Sequence, residues 1–204
     1  GVLLRADGLQ GLPVRSQAAL IDYGIRTVID LRTSREIQQK PGVFFGSSEV
    51  AYWHQNMTGD VLPYHKSVTG TVYDRILEVY TGILDLRQSV IRETLATLAA
   101  PGALPALFHC NGGKDRTGIL AALLLGIAGV PEETIEEDYA LSARFILALH
   151  LADNPDLVGS GYTWQQYQEE SCPPEAMTVT CTPANGTVSP GCATVWLAAV
   201  YRSR

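Results

Sequence analysis

Cys110 and Arg116 stand six positions apart in His109-Cys110-Asn111-Gly112-Gly113-Lys114-Asp115-Arg116-Thr117-Gly118. A cysteine is a nucleophile as its thiolate. A guanidinium is a planar fork that can take two phosphate oxygens at once. Between them, Gly112 and Gly113 let the backbone curl with few steric limits, so that the N–H groups of Asn111, Gly112, Gly113, Lys114 and Asp115 turn into one concavity. Thr117 and Gly118 then open a helix, whose N-terminus favours negative charge and with it the thiolate. The pattern describes an oxyanion cradle above a sulfur nucleophile, and the chemistry it suits is in-line phosphoryl transfer to Cys110 with Arg116 as the phosphate clamp. No metal or other cofactor is needed, because the arginine and the amides supply the charge stabilisation. Taken alone, a cysteine after an apolar strand reads as an inert core residue and an arginine as half of a surface ion pair. The glycines and the following Thr-Gly reverse that reading.

The flanking elements fit the same purpose. Leu104 to Phe108 is a short apolar strand that delivers Cys110 to its C-terminal end, where α/β folds place ligands. Ile119 to Ala128 reads as a buried helix, followed by a Gly-Val-Pro break and one long acidic-headed helix from Pro131. Further strands are expected at Val2 to Leu4, Ile25 to Leu31 and Val50 to Gln55. Helices are expected from Pro13 to Tyr23, from a Thr33 or Ser34 cap to Pro41, and over two 3/4-spaced patterns, Val72–Ile83 and Leu86–Leu98. Helices alternate with strands and no repeat is visible. The expected fold is a single α/β domain with a central, largely parallel sheet flanked by helices.

His-Cys-x5-Arg-Thr-Gly resembles the signature loop of the cysteine-dependent protein tyrosine and dual-specificity phosphatases. The form His-Cys-x-x-Gly-Lys-Asp-Arg-Thr-Gly is similar to that of the bacterial and fungal tyrosine/serine phosphatases. The likeness extends to Leu4-Arg5-Ala6-Asp7, to Gly24 through Arg32 and to Asp138-Tyr139-Ala140-Leu141, and covers residues 3–177. It implies a protein tyrosine phosphatase-like fold and hydrolysis of phosphotyrosine through a cysteinyl-phosphate. Phosphoserine, phosphothreonine and phosphoinositides are further substrates it implies, the last because Lys114 adds charge to the loop. His109 and Thr117 would hold the thiolate by hydrogen bonds. The leaving oxygen needs a proton, and such phosphatases carry the acid as an Asp on a loop after a strand. Asp60 is the first choice and Asp115, inside the loop, the second. The Asn-Phe-Arg-Asp-Leu-Gly-type strand that precedes Leu3 in the family is not present. A catalytically impaired phosphate-binding module and a rhodanese-like sulfurtransferase are the competing readings; Arg116-Thr117-Gly118 and His109 disfavour the second.

Composition sets the remaining bounds. The 204 residues carry 15 Lys+Arg against 21 Asp+Glu, a net charge of −6, which disfavours nucleic acid as a partner. At 46% hydrophobic residues the chain can build a core. The longest nearly apolar run, Gly118 to Val130, falls short of the about 20 residues of a membrane span. His54, His65 and His150 show no metal-ligand spacing, and Cys172, Cys181 and Cys192 form no CxxC pair. Asp30 and Arg32 are expected to form structural hydrogen bonds or an ion pair near the site. Glu132, Glu133, Glu136, Glu137 and Asp138 read as a solvated helix start. Residues 178–204 differ from the rest. They hold Arg202, Arg204 and no acid, so the tail carries +2 of the net −6 and leaves −8 on residues 1–177. The tail reads as a non-homologous replacement behind a phosphatase domain at 1–177. A start at Gly1 is what trimming or a removed signal peptide leaves, so a cytoplasmic enzyme and a secreted bacterial effector are both compatible with the sequence.

Overall fold

Successive apolar residues in three short segments point to opposite sides, as the period of two in a strand requires. Leu3, Ile29 and Phe108 go to one core, and Leu4, Val28 and Leu107 to another. A sheet buried on both faces is what near-continuous apolar strands build when they run parallel. The computed structural model describes residues 2–60, 72–153, 157 and 160–171. It contains strands β1 (Leu3–Ala6), β2 (Thr27–Asp30), β3 (Ala51–His54) and β4 (Ala106–His109). The helices are α1 (Val14–Asp22), α2 (Ser34–Gln39), α3 (Val72–Leu86), α4 (Gln88–Ala99), α5 (Asp115–Ile127), α6 (Glu132–Ala140), α7 (Ser142–Asp153) and α8 (Trp164–Ser171).

All pairings are parallel, in the order β1-β4-β2-β3. The chain passes from β1 to β2 two places away, and β4 later fills the slot between them. All four residues of β2 and of β4 are buried, whereas three of four in the edge strand β3 are exposed. One face carries the larger core, where Ile29 and Phe108 pack with Tyr80 and Ile83 of α3, Ile91 and Leu98 of α4, Ile119 and Leu120 of α5, and Ile135 and Tyr139 of α6. The other face is covered by Leu9, Ile25, Phe44 and Val50, with Leu20 and Ile21 of α1 packed against them. Each such large side chain removed from water contributes about 1.5–3 kcal/mol before chain entropy is set against it. Helix α5 is apolar all round and correspondingly buried from Thr117 to Ala122. It threads between the sheet and α6.

The expected single α/β domain with a parallel sheet flanked by helices is what the described residues form. Three local expectations change. Helix α5 opens at Asp115, two residues before Thr117, because an acid is favourable in a first turn; Arg116 therefore sits on the helix. The expected long helix from Pro131 is broken at Leu141 into α6 and α7, and Ser142, just past the break, is buried against Arg5. Asp138 is not a solvated helix-start acid: its carboxylate lies 2.6 Å from the Arg5 guanidinium. No helix among the described residues is long and apolar enough to cross a membrane. The tail at 178–204, its boundary at 177, Cys172, Cys181, Cys192 and His65 lie outside the described residues.

Candidate active site

Parallel register brings four strand ends into one row, Ala6, His109, Asp30 and His54. Everything that follows a strand therefore meets at this edge of the sheet. Cys110 comes directly after the central strand β4 and is only 2% exposed. The loop behind it is tied to the turn after β1, where Gly8 N–H donates to the Asn111 carbonyl at 2.8 Å and Arg5 Nη2 donates to the Gly113 carbonyl at 3.0 Å. Arg5 is in turn held by Asp138 and Ser142, so α6 and α7 brace the loop through one arginine.

Only one of the two loop glycines is sterically required. Gly113 has φ +68°, and a Cβ there would stand 2.8 Å from the Ala6 carbonyl oxygen and 2.9 Å from Asp7 N. A Cβ on Gly112 meets nothing within 4 Å. Gly113→Ala is accordingly expected to cost about 2 kcal/mol or more of stability, from left-handed strain plus a backbone collision. Gly112→Ala is expected to stay within about 0.5 kcal/mol. Thermal unfolding of both variants checks this, and equal melting points would contradict it.

The amides of Asn111, Gly112, Gly113, Asp115, Arg116 and Thr117 have no acceptor among the described residues. Such a run of unclaimed donors at a helix start favours negative charge. Arg116 stands beside it, 15% exposed, with Nη1 donating to Glu36 Oε2 at 2.6 Å and Nη2 to Oε1 at 2.9 Å. That end-on pair leaves Nε–H and one N–H on each terminal nitrogen for a phosphate. Glu36 is itself fixed as the third residue of a capping box, its Oε2 accepting from Thr33 N–H and its own N–H donating to Thr33 Oγ1. Burial works to raise the Glu36 carboxyl, but Arg116 and Thr33 outweigh it and bring it down to about 2. Burial works against the Arg116 cation, and Glu36 with Cys110 holds it above its ordinary value.

The two acid candidates occupy different surroundings. Asp60 is exposed in the turn after β3, and it spends both carboxylate oxygens on Ser34 N–H, Ser34 Oγ and Asn56 Nδ2 at 2.8–3.0 Å. These bonds, Ser34's first, hold it below the usual carboxylate range. Asp115 lies in the first turn of α5, one residue from Arg116, and its Oδ1 accepts from Lys114 Nζ at 2.6 Å and from the Tyr80 hydroxyl. Desolvation works to raise it, while Lys114, Tyr80 and Arg116 bring it down. Lys114 is not a solvated lysine: it is 12% exposed, with its ammonium over the Tyr139 ring as well as on Asp115.

Beneath the loop, His109 is fully buried with Nδ1 against the Cys110 carbonyl at 3.0 Å and Nε2 3.6 Å from Asp30 Oδ2. Burial keeps it neutral more readily than usual, against the pull of Asp30. Asp30 and Arg32 form the expected ion pair at 2.6 Å, both almost wholly buried, and Tyr52 donates to Asp30 at 2.8 Å. The Thr117 hydroxyl is buried and has no hydrogen-bond partner. His54 Nε2 meets the Arg32 carbonyl at 2.8 Å. No group of three or more His, Cys, Asp or Glu among the described residues could hold a metal ion.

The structure thus gathers Cys110 through Thr117 in one place, with Asp115 inside the group and Asp60 bound to the start of α2. Glu36, Tyr80, Arg5 and Asp138 join the site without having been singled out in the sequence for a role there. Thr33-x-x-Glu36 is a readable capping signal, but it does not announce the partner Arg116. A buried thiol, a ring of free amides and a braced guanidinium together can accept a tetrahedral oxyanion and attack its centre.

The model of the tyrosine phosphatase family matches residues 1–170. A tyrosine-protein phosphatase of Nostoc commune is 34% identical over 144 residues, covering 70% of this chain and 49% of that protein. The triple specificity protein phosphatase PtpB of Mycobacterium tuberculosis is 28% identical over 169 residues, covering 70% of this chain and 61% of that protein. The chain thus spans about half to three-fifths of the length of these relatives.

Proposed function

The chain belongs to the tyrosine phosphatase family, and from that premise we propose that it is a metal-independent phosphomonoesterase acting on phosphotyrosine through a cysteinyl-phosphate. The observation that carries this reading is the buried Cys110 beside six unclaimed amides, with Arg116 braced on Glu36. The Cys110 thiolate attacks phosphorus in line, an S–P bond forms, and the bond to the leaving oxygen breaks. The amides and the free edge of Arg116 hold the equatorial oxygens as charge moves through them. The leaving oxygen takes a proton from Asp115. Water then attacks the cysteinyl-phosphate, giving its proton to the same carboxylate, and inorganic phosphate departs with the thiolate restored.

Asp115 is preferred to Asp60 because it shares a helical turn with Arg116, whereas both oxygens of Asp60 are engaged by Ser34 and Asn56. The phosphate dianion, drawn into the cradle beside it, raises the Asp115 carboxyl and so protonates it when substrate is present. Lys114 brings a further cation to the loop, which favours multiply charged substrates. With the triple specificity named for one relative, it supports phosphoserine, phosphothreonine and phosphoinositides as additional substrates.

The test is acid quench of the full chain during turnover of 4-nitrophenyl phosphate without added metal, followed by peptide mass analysis. One phosphoryl group on the Cys110 peptide is expected. Turnover with no phosphorylated Cys110, at any quench time, contradicts the reading, and thiosulfate turnover in place of phosphatase activity replaces it with a sulfurtransferase. Comparing phosphotyrosine peptide, phosphoserine peptide and phosphoinositide then ranks the substrates.

A further inference from the structure

Two buried phenols stand behind the loop and take no part in the steps above. Tyr80 of α3 and Tyr139 of α6 are each 1% exposed, and their rings meet edge to face at 6.2 Å and 86°. Gly118 of α5 lets that helix lie against Tyr139, since a Cβ there would come within 3.0 Å of the ring. A buried phenol needs a partner for its hydroxyl. The two hydroxyls are 2.7 Å apart, and that of Tyr80 also donates to Asp115 Oδ1. A phenol has one proton, so with Tyr80's committed to Asp115 the bond between the phenols runs from Tyr139 to Tyr80. The result is a directed chain from Tyr139 to Tyr80 to Asp115.

We infer that Tyr80 is a positioning residue for proton donation by Asp115, with Tyr139 acting behind it. The inference rests on the reading of Asp115 as the acid. Tyr80 and Lys114 both donate to Oδ1, and Oδ2 has no partner among the described residues. The carboxyl is thereby pinned by one oxygen, and Oδ2 is the atom that carries the proton to the leaving oxygen. As that proton departs, negative charge spreads to Oδ1, where two donors already wait. The chain of phenols strengthens those bonds, because each hydroxyl polarises the next. The groups facing Asp115 are Lys114 and Arg116 beside it in sequence and Tyr80 from α3 with Tyr139 of α6 behind it; Cys110 from the end of β4 and Glu36 of α2 act through Arg116.

Removing the Tyr80 hydroxyl takes a donor from the carboxylate, so the neutral acid persists to higher pH while its orientation loosens. The experiment compares wild type, Tyr80→Phe, Tyr139→Phe and Asp115→Asn on phenyl phosphate, whose leaving group needs the proton, and on 4-nitrophenyl phosphate, whose leaving group needs it far less. For Tyr80→Phe, kcat on phenyl phosphate is expected to fall about tenfold, the loss of one hydrogen bond to a charged group. Its kcat on 4-nitrophenyl phosphate stays within about twofold, which also reports an intact fold. The alkaline limb of kcat on phenyl phosphate moves up by about one pH unit. Tyr139→Phe changes both in the same direction by less, and keeps the inference testable if Tyr80→Phe folds poorly. Equal losses on the two substrates in both Tyr variants, or an unmoved limb, overturn the positioning role. If Asp115→Asn lowers kcat/KM, which reports only the step that expels the leaving group, alike on the two substrates, the assignment of Asp115 as the acid fails first and this inference with it.

Discussion

Cys110→Ser is expected to abolish turnover while leaving the fold and phosphate binding in place. The exchange replaces sulfur by oxygen at a position 2% exposed, with no change of branching and no new contact to accommodate. A serine hydroxyl at this place lacks a base, because the ring of His109 is already engaged at Nδ1 by the Cys110 carbonyl and lies near Asp30 at Nε2. Without thiolate there is no S–P bond, and the amides and Arg116 can only hold the ester. The expected loss in kcat is on the order of 10⁴-fold or more, as for removal of a nucleophile elsewhere. The measurement is kcat on 4-nitrophenyl phosphate without metal, paired with the rise in melting temperature on adding inorganic phosphate. That rise should persist, because a ligand of the native state stabilises it by mass action. Activity surviving the substitution ends the cysteine route.

The second large effect is expected at Arg116. Its guanidinium serves Glu36 with two nitrogens and keeps three N–H groups for the phosphate. A lysine can meet one partner as a point charge but cannot do both with fixed geometry. Arg116→Lys is therefore expected to lower kcat/KM by about 10²–10³-fold, the scale for loss of a preorganised donor at developing charge. Glu36→Gln should cost less, about tenfold and mostly in KM, because Gln keeps the capping box but no longer orients a cation by charge. Equal losses in the two variants would mean that Glu36 does more than brace Arg116.

The same pair carries a pH dependence. Glu36 is held at about 2 in the fold against an ordinary 4.5, so the unfolded chain binds its proton first as pH falls. The stability it contributes is complete above about pH 4.5 and is lost as pH drops toward 2. Thermal unfolding of wild type should therefore fall more steeply through that window than that of Glu36→Gln.

Legibility in the sequence followed distance along the chain. The stretch from His109 to Gly118 announced the cysteine, the arginine and the glycine loop together, because all three lie within one loop and its flanking strand and helix. Leu3-Leu4, Val28-Ile29 and Leu107-Phe108 likewise announced strands, since a short apolar run is a local property; that each strand is buried on both faces came from the parallel pairing. The finer question of which glycine mattered was not local: Gly112 and Gly113 look alike until the backbone of Ala6 and Asp7 is laid against one of them. The surroundings of Asp60 and Asp115 were not local either: Ser34 meets one across 26 positions and Tyr80 the other across 35. Just past the break at Leu141, Ser142 meets Arg5 from near the other end of the chain.

By itself, then, the sequence determined which groups are present: a cysteine, an arginine six positions on and a glycine loop between them, at the end of an apolar strand. Tertiary structure alone decided what holds those groups in their working arrangement. Glu36 reaches Arg116 across 80 positions, Tyr80 reaches Asp115 across 35, and Asp138 reaches Arg5 across 133. No periodicity or propensity encodes such pairs. They form because packing α2, α3 and α6 about the strand ends buries charges and hydroxyls that must then find one another.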